Sequence, residues 1–170
     1  MTTHPPATGF MPIDKAHIEA LIPHAGAMCL LDAVTEWDED AIVCVTNTHR
    51  DPANPLRRQG CLSAIHAFEY GAQAAAVHGG LCARTVGQTA PPGYLAALRD
   101  ARWFVADLDS IAAPLEVTAH QLLNEAGRCI YAIRVSVGEQ TLAEARIIIV
   151  PQPVRAPLPP LEEGSGVRAG

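Results

Sequence analysis

Residues 69–73 read Glu69-Tyr70-Gly71-Ala72-Gln73 and place a carboxylate within a segment that otherwise has the composition of a buried helix. The flanking residues 64–68 and 74–77 are almost all small or apolar. A glutamate is rarely fully buried without a partner, because removing its charge from water is costly. Burial also raises the pKa of a carboxylic acid, which makes it useful as an acid near neutral pH. The pattern indicates either a buried functional carboxylate on a central helix or a glutamate on a solvated helix face.

Glu69 shares one helical stripe with two other polar residues. His66 lies three positions before it and Gln73 four positions after it, so all three side chains fall on the same side of a helix. A purely structural core helix does not need such a stripe. The polar stripe is typical of a catalytic carboxylate with a neighbouring imidazole and a positioning amide. The alternative interpretation is a row of hydrogen-bonded side chains at a dimer contact.

Composition limits the class of protein. The 170 residues, of which 49% are hydrophobic and 18% charged, predict one globular domain over residues 13–150. Residues 1–12 are expected to be flexible, and the proline-rich residues 151–170 to form a disordered tail. The net charge of −6 argues against nucleic acid as a partner. The first residues contain neither a basic leader nor an apolar segment, so the expected location is the cytoplasm.

Cysteine and histidine usage gives no sign of a metal or a disulfide framework. The five cysteines are an odd number without a close pair. No pair of histidines has metal-ligand spacing with a further carboxylate or cysteine nearby, so no metal is predicted. Cys61 lies near the start of the predicted helix, where a thiolate would be stabilised, but no Cys-His-Asn pattern accompanies it.

Periodicity and turn residues predict an α+β layout. Helices are expected at 13–21, capped by Asp14, and at 61–77, ended by Gly79-Gly80. Six strands are expected at 28–34, 41–48, 94–105, 115–123, 128–137 and 141–150. One long helix among about six strands predicts a curved antiparallel sheet wrapped around a central helix.

Two segments resemble a known family. Ile22-Pro23-His24-Ala25-Gly26-Ala27-Met28-Cys29-Leu30-Leu31-Asp32-Ala33-Val34 resembles the opening motif of the β-hydroxyacyl-ACP dehydratases, the FabZ family. Glu69 to Gln73 is similar to the family's central-helix signature E-A-x-A-Q. The order of elements over residues 15–150 is similar to the hotdog fold of that family. Within that family, the chain resembles the ApeP-like group of predicted 3-hydroxyacyl-ACP dehydratases that accompany aryl-polyene gene clusters.

The resemblance implies a lyase that dehydrates a 3-hydroxyacyl thioester to an enoyl thioester in fatty-acid or polyene-type biosynthesis. Glu69 would be the acid, and the family's base is a histidine that heads an H-F-P-G motif. That motif is absent here, and His49, at the end of the second strand and 20 residues before Glu69, has the expected position. The family's site lies between two protomers, so His49 of one chain would face Glu69 of the other.

Further residues are expected around this pair. His66 and Gln73 would contact the substrate, and free backbone N–H groups near Gly60, Cys61 and Leu62 would polarise the thioester carbonyl. His24 is interpreted as a structural residue that fixes the turn between helix and strand.

The expected partners follow from the same resemblance. The substrate would be carried on the phosphopantetheine of an acidic acyl carrier protein, with no further cofactor. Arg50, Arg57 and Arg58 form a basic loop that could dock this carrier through charge-assisted bonds, or could simply be solvated. Assembly is expected as a homodimer, or as a heterodimer with a paralogous hotdog protein.

Two alternative functions remain open. Hotdog thioesterases also carry an acidic residue on the central helix, so Glu69 could instead activate water for thioester hydrolysis. The missing H-F-P-G motif and the lengthened loop before Glu69 also fit a non-catalytic subunit that supports an active dehydratase.

Overall fold

One antiparallel sheet of seven strands packs around a long helix in the computed structural model, which describes residues 11–152. The strands are β1 Ile13–Asp14, β2 Ala33–Trp37, β3 Ala41–Thr46, β4 Gly93–Trp103, β5 Leu115–Glu125, β6 Arg128–Val137 and β7 Gln140–Pro151. The helices are α1 Lys15–Glu19 and α2 Ala67–Thr85, with short 3-10 turns at Gly26–Met28, Thr48–Arg50 and Ala64–His66. The predicted α+β architecture is confirmed, and the seventh strand is the two-residue β1. The predictions for residues 1–10 and 153–170 lie outside the described residues.

Helix α2 begins later and ends later than the sequence predicts. The chain enters it through the 3-10 turn, which Ser63 caps by accepting a hydrogen bond from Ile65 N. The prediction that Gly79-Gly80 ends the helix is wrong, because α2 continues to Thr85. Gly80 serves close packing instead: a Cβ atom there would lie 3.1 Å from Leu21 Cδ2.

The apolar residues 28–32 were expected to open a strand, yet β2 starts only at Ala33. Only Asp32 N still donates to a strand, to the Val45 carbonyl of β3 at 3.0 Å, and the Met28 and Leu30 backbone groups bind side chains instead. The Leu30 carbonyl accepts hydrogen bonds from the hydroxyls of Thr46 and Thr48, both at 2.6 Å. This segment is therefore buried as irregular chain that links β3 to the helix.

The first predicted helix is also shorter than expected. Asp14 caps it as predicted, since its Oδ1 accepts a hydrogen bond from His17 N at 3.0 Å. However, Ile13 and Asp14 themselves pair with β2, so α1 covers only five residues. No helix in residues 11–152 is long and apolar enough to cross a membrane.

The strand order is β1-β2-β3-β5-β6-β7-β4, which leaves β4 at one edge. Strand β4 pairs with β7 over its whole length and offers its other side to solvent. It carries a series of exposed large apolar side chains, continued by the residue after it: Tyr94, Leu95, Leu98, Trp103 and Phe104. Trp103 packs edge-on against Phe68 of α2, with ring centroids 6.3 Å apart, so this edge reaches the start of the central helix.

Candidate functional site

Glu69 lies in the first turn of α2, where the helix dipole favours a negative charge. Its side chain is 33% exposed, so in the single chain Glu69 lies between the two alternatives, neither fully buried nor fully solvated. The carboxylate opens toward solvent from an otherwise apolar turn, in which Ala67, Phe68 and Tyr70 are all buried. A carboxylate in this position is accessible to a ligand.

Gln73 determines how Glu69 is oriented. Its Oε1 accepts a hydrogen bond from Leu30 N at 2.9 Å, and its Nε2 donates to the Met28 carbonyl at 2.8 Å. These two contacts fix the direction of the amide, and the second N–H then donates to Glu69 Oε1 at 3.1 Å. Gln73 is 1% exposed, so the predicted contact with substrate is replaced by a positioning role.

His24 lies beside Glu69. Its Nε2 lies 3.5 Å from Glu69 Oε1, and its side chain is likewise 33% exposed. Its Nδ1 is buried and has no hydrogen-bond partner within residues 11–152. The sequence interpretation of His24 as a purely structural residue missed this contact, which spans 45 positions of the chain.

His49 is enclosed by its own chain. The ring is 0% exposed, and its Nε2–H donates to the Ile111 carbonyl at 3.0 Å. Because a carbonyl only accepts, this bond assigns the hydrogen to Nε2 and leaves Nδ1 as a buried lone pair without a partner among the described residues. Burial lowers the pKa of His49, and the nearby Arg50 and Arg57 charges act in the same direction. The ring is therefore neutral and packed inside the loop that follows β3.

The loop arginines are divided between two environments. Arg57 is turned inward: it donates to the carbonyls of Asp51, Gly60 and His49 at 2.9, 2.7 and 3.1 Å, and it pairs with Asp109 at 3.5 Å. The prediction that Arg57 docks a carrier protein is therefore not met, because its guanidinium holds the loop together. The other two, Arg50 and Arg58, lie toward the surface of the same loop.

The backbone N–H groups of Cys61 and Leu62, before α2, are occupied rather than free. Arg58 and Cys61 pair across a tight turn, in which Gln59 and Gly60 have φ values of 52° and 78°. Cys61 N donates to the Arg58 carbonyl at 3.0 Å. Leu62 N donates to Asp109 Oδ1 at 2.8 Å, and this bond is the main reason that the pKa of Asp109 is lowered, with smaller contributions from the backbone of Asp109 and the Arg57 charge. The expected carbonyl-polarising role of Cys61 and Leu62 is therefore not available in this arrangement.

The structure brings together Glu69, Gln73 and His24, while His66 lies half-buried in the turn before α2. No group of three or more His, Cys, Asp or Glu side chains in the described part of the chain is arranged to hold a metal ion. A held carboxylate beside an accessible imidazole can exchange protons with a bound molecule.

Comparison with solved structures identifies similar folds. One is the dehydratase heterocomplex ApeI:P from Xenorhabdus doucetiae, with a TM-score of 0.73 and 22% identity over 85% of this chain and 93% of that one. A putative thioesterase from Shewanella oneidensis aligns with a TM-score of 0.57 and 11% identity over 82% and 94% of the two chains. At these identities the likeness shows the hotdog fold alone. A search of curated proteins found no match.

Comparison with protein-family models identifies the family as well as the fold. The model of the ApeP-like dehydratases, described as ApeP dehydratase, matches residues 16–157, which include the central helix, the Glu69 site and every strand except β1. Sequence, fold and family comparison agree: the chain belongs to the ApeP-like family of hotdog dehydratases.

Proposed function

We propose that this protein dehydrates a 3-hydroxyacyl thioester carried by acyl carrier protein. The observation that carries the proposal is the accessible carboxylate of Glu69, held by Gln73 at the start of the central helix and 3.5 Å from an imidazole. In the reaction, a base takes the proton from C2, the C2–C3 double bond forms, and the C3–O bond breaks. The departing hydroxyl takes a proton from Glu69, which yields an enoyl thioester and water.

Gln73 assigns the two oxygens of Glu69 to different tasks. Because Gln73 Nε2 donates to Oε1, that oxygen acts as an acceptor, and a proton on Glu69 belongs on Oε2. Oε2 is then the oxygen that protonates the leaving hydroxyl. A carboxyl group with one oxygen held by a hydrogen bond and the other free is well suited to general acid catalysis, because its orientation does not have to change before the proton is transferred.

We further propose that a second hotdog chain pairs along β4. An edge strand with exposed Tyr94, Leu95 and Leu98 is a surface that invites another strand. Its last residue, Trp103, contacts Phe68, which is adjacent to Glu69, so a partner there would border the site. The partner is a second copy or a paralogue; the similar structure from Xenorhabdus doucetiae is a heterocomplex.

The carrier would approach over the surface of the loop that bears Arg50 and Arg58. Both arginines are placed where they could meet the phosphate of phosphopantetheine or acidic residues of the carrier. We propose no cofactor beyond that carrier-bound arm, and the cytoplasm is the expected compartment.

Two alternatives have specific support. The enclosed ring of His49 and the heterocomplex of the similar structure favour a chain that needs an active partner. The solvent-accessible carboxylate of Glu69, on a fold shared with a putative thioesterase, is also compatible with hydrolysis in which Glu69 activates water.

Mass spectrometry of the carrier distinguishes all three. The full chain is incubated with a 3-hydroxyacyl carrier protein, alone and together with hotdog dehydratases of its own gene neighbourhood. Dehydration predicts loss of one water from the bound acyl chain, whereas hydrolysis releases free carrier thiol. Activity only in the mixture, unaffected by Glu69→Gln, would contradict the proposal and identify a supporting subunit.

A further inference from the structure

We propose that His24, rather than His49, is the imidazole that acts with Glu69, so that the acid and the base come from one chain. This inference rests on the proposed function and names a further catalytic residue for the same site. It starts from the position of His24 Nε2, 3.5 Å from Glu69 Oε1.

Accessibility separates the two histidines. A general base must reach the proton that it removes, directly or through one water. His24 and Glu69 are each 33% exposed and lie 3.5 Å apart, so a molecule bound beside one side chain can reach the other. His49 is 0% exposed, and its Nε2–H is committed to the Ile111 carbonyl. The His24 ring can therefore contact a substrate that is bound at Glu69. The His49 ring could do so only if the loop after β3 moved.

The available nitrogen of His24 is the one that faces Glu69. A separation of 3.5 Å is longer than a strong hydrogen bond, so Nε2 is near the carboxylate without being tied to it. Nδ1 is buried, so Nε2 is the nitrogen through which the ring acts. In the base form Nδ1 carries the hydrogen and keeps it throughout, and only Nε2 changes its protonation.

This spacing suits an elimination across adjacent carbons. The C2 proton passes to His24 Nε2, the C2–H electrons form the double bond, and the hydroxyl leaves C3 as water with the proton from Glu69 Oε2. The proton then returns from His24 to Glu69, and both groups are reset. Because C2 and the C3 hydroxyl are only two bonds apart, the groups that act on them must be close neighbours.

Gln73 helps to fix the positions of both His24 and Glu69. The amide that fixes Glu69 also binds the backbone of Met28 and Leu30, which follows His24 along the chain. His24 therefore lies a few residues before a backbone segment that is hydrogen-bonded to α2, the helix that carries Glu69. This arrangement maintains the imidazole–carboxylate distance within one protomer.

Substitution of His24 by Gln tests the role of the lone pair. Gln keeps an N–H group near the place of Nε2 but cannot accept a proton. With the full chain, in complex with its partner hotdog protein where activity requires it, we expect the dehydration rate of His24→Gln to fall by about 10²-fold or more. The acidic limb of the kcat/KM profile, which reports an essential base, should disappear. A histidine that merely donated a hydrogen bond would be replaced by Gln with little loss.

Two further variants complete the comparison. His49→Gln retains a donor for the Ile111 carbonyl and removes the Nδ1 lone pair, and we expect it to keep the acidic limb. His120→Gln removes an exposed imidazole on β5 and should leave the rate unchanged. Loss of the acidic limb in His49→Gln, or its survival in His24→Gln, would overturn the assignment to His24 while the dehydratase function stands. A wild-type chain that forms no enoyl thioester, alone or with its partner, would overturn both.

A spectroscopic measurement covers the case in which His24→Gln does not fold. Imidazole ¹⁵N chemical shifts are recorded at one fixed pH for the wild type and for Glu69→Gln. We expect the His24 Nε2 resonance to shift and the His120 resonances to stay in place. An unchanged His24 resonance would mean that the two groups do not interact, and the inference would fail.

Discussion

Gln73 is the residue on which the geometry of the site depends most. One amide group joins the helix to residues 28–30 and also holds Glu69, so the same side chain supports the fold and aligns the acid. Its three hydrogen bonds leave no freedom to flip the amide, since a carbonyl accepts on one side and a backbone N–H donates on the other. This is why Glu69, although a third exposed, has a defined reactive oxygen.

Gly71, inside the Glu69–Gln73 stretch, is required because the helix passes very close to the sheet. A Cβ atom there would lie 2.9 Å from Ile133 Cβ on β6. We predict that Gly71→Ala lowers the free energy of unfolding by about 1–3 kcal/mol, the usual cost of overpacking. Urea unfolding measures this change, and Gly79→Ala is the matched control.

Gly79 lies in the same helix, where a Cβ atom would meet nothing within 4 Å among the described residues that pack against the helix. Alanine at this position should therefore be neutral or stabilising by up to about 1 kcal/mol. Equal effects of the two substitutions would contradict the close helix–sheet contact at Gly71.

The residues of the site were predictable to different degrees. Glu69 and Gln73 stand four positions apart on a helix, so their contact follows from helical spacing. The approach of His24 does not follow from any local pattern, because it depends on how residues 28–30 attach to Gln73. Likewise, nothing in the spacing of Arg57 reveals that Asp109, 52 positions later, will turn it inward.

At the scale of elements, the long strands and the central helix were predictable because their composition and turns agree with their structure. Strands β5, β6 and β7 are joined by tight turns, with Gly127 and Gly138 at positive φ. The errors occur where side chains replace the usual backbone pairing, as in residues 28–32, or where glycine serves packing rather than termination, as at Gly80.

The element most open to association is β4. We predict that Leu98→Lys weakens assembly by about tenfold or more, because a charge on an edge strand opposes pairing with another chain. Sedimentation at a series of concentrations, for the chain alone and with a paralogous hotdog protein, measures the dissociation constant.

The matched control for this prediction is Leu122→Lys, which replaces another exposed leucine on β5, a strand with neighbours on both sides. An equal loss of association in both variants, or none in either, would show that β4 is not the contact.

For the whole molecule, two buried histidines connect stability to pH. His78 of α2 accepts a hydrogen bond at Nδ1 from the Tyr131 hydroxyl at 2.9 Å and donates from Nε2 to the Asp38 carbonyl at 2.9 Å. Burial lowers the pKa of His78, as it does for His49, although the Asp38 carbonyl and the Asp38 and Asp40 charges oppose the shift. Both rings therefore favour the neutral form in the folded protein.

Because both histidines favour the neutral form in the folded protein, the fold should lose stability as the pH falls. A histidine with a depressed folded-state pKa stabilises the fold fully above its unfolded value, 6.5, and loses that contribution as the pH falls below it. We predict a urea midpoint that is nearly constant between about pH 7 and 8 and decreases progressively from about pH 6.5 to 5. The decrease should be smaller in His78→Gln, whereas stability that rises on acidification would contradict the account.

The measurement that tests the account most directly is the dehydration rate of Glu69→Gln. Gln is nearly isosteric with Glu and leaves the fold intact, but it cannot supply a proton to the leaving hydroxyl. In the assembly that shows wild-type activity, enoyl-thioester formation should fall by about 10²-fold or more, while Glu116→Gln, at an exposed position on β5, should retain the wild-type rate. Dehydration by Glu69→Gln at the wild-type rate would remove Glu69 from the reaction and contradict the central claim.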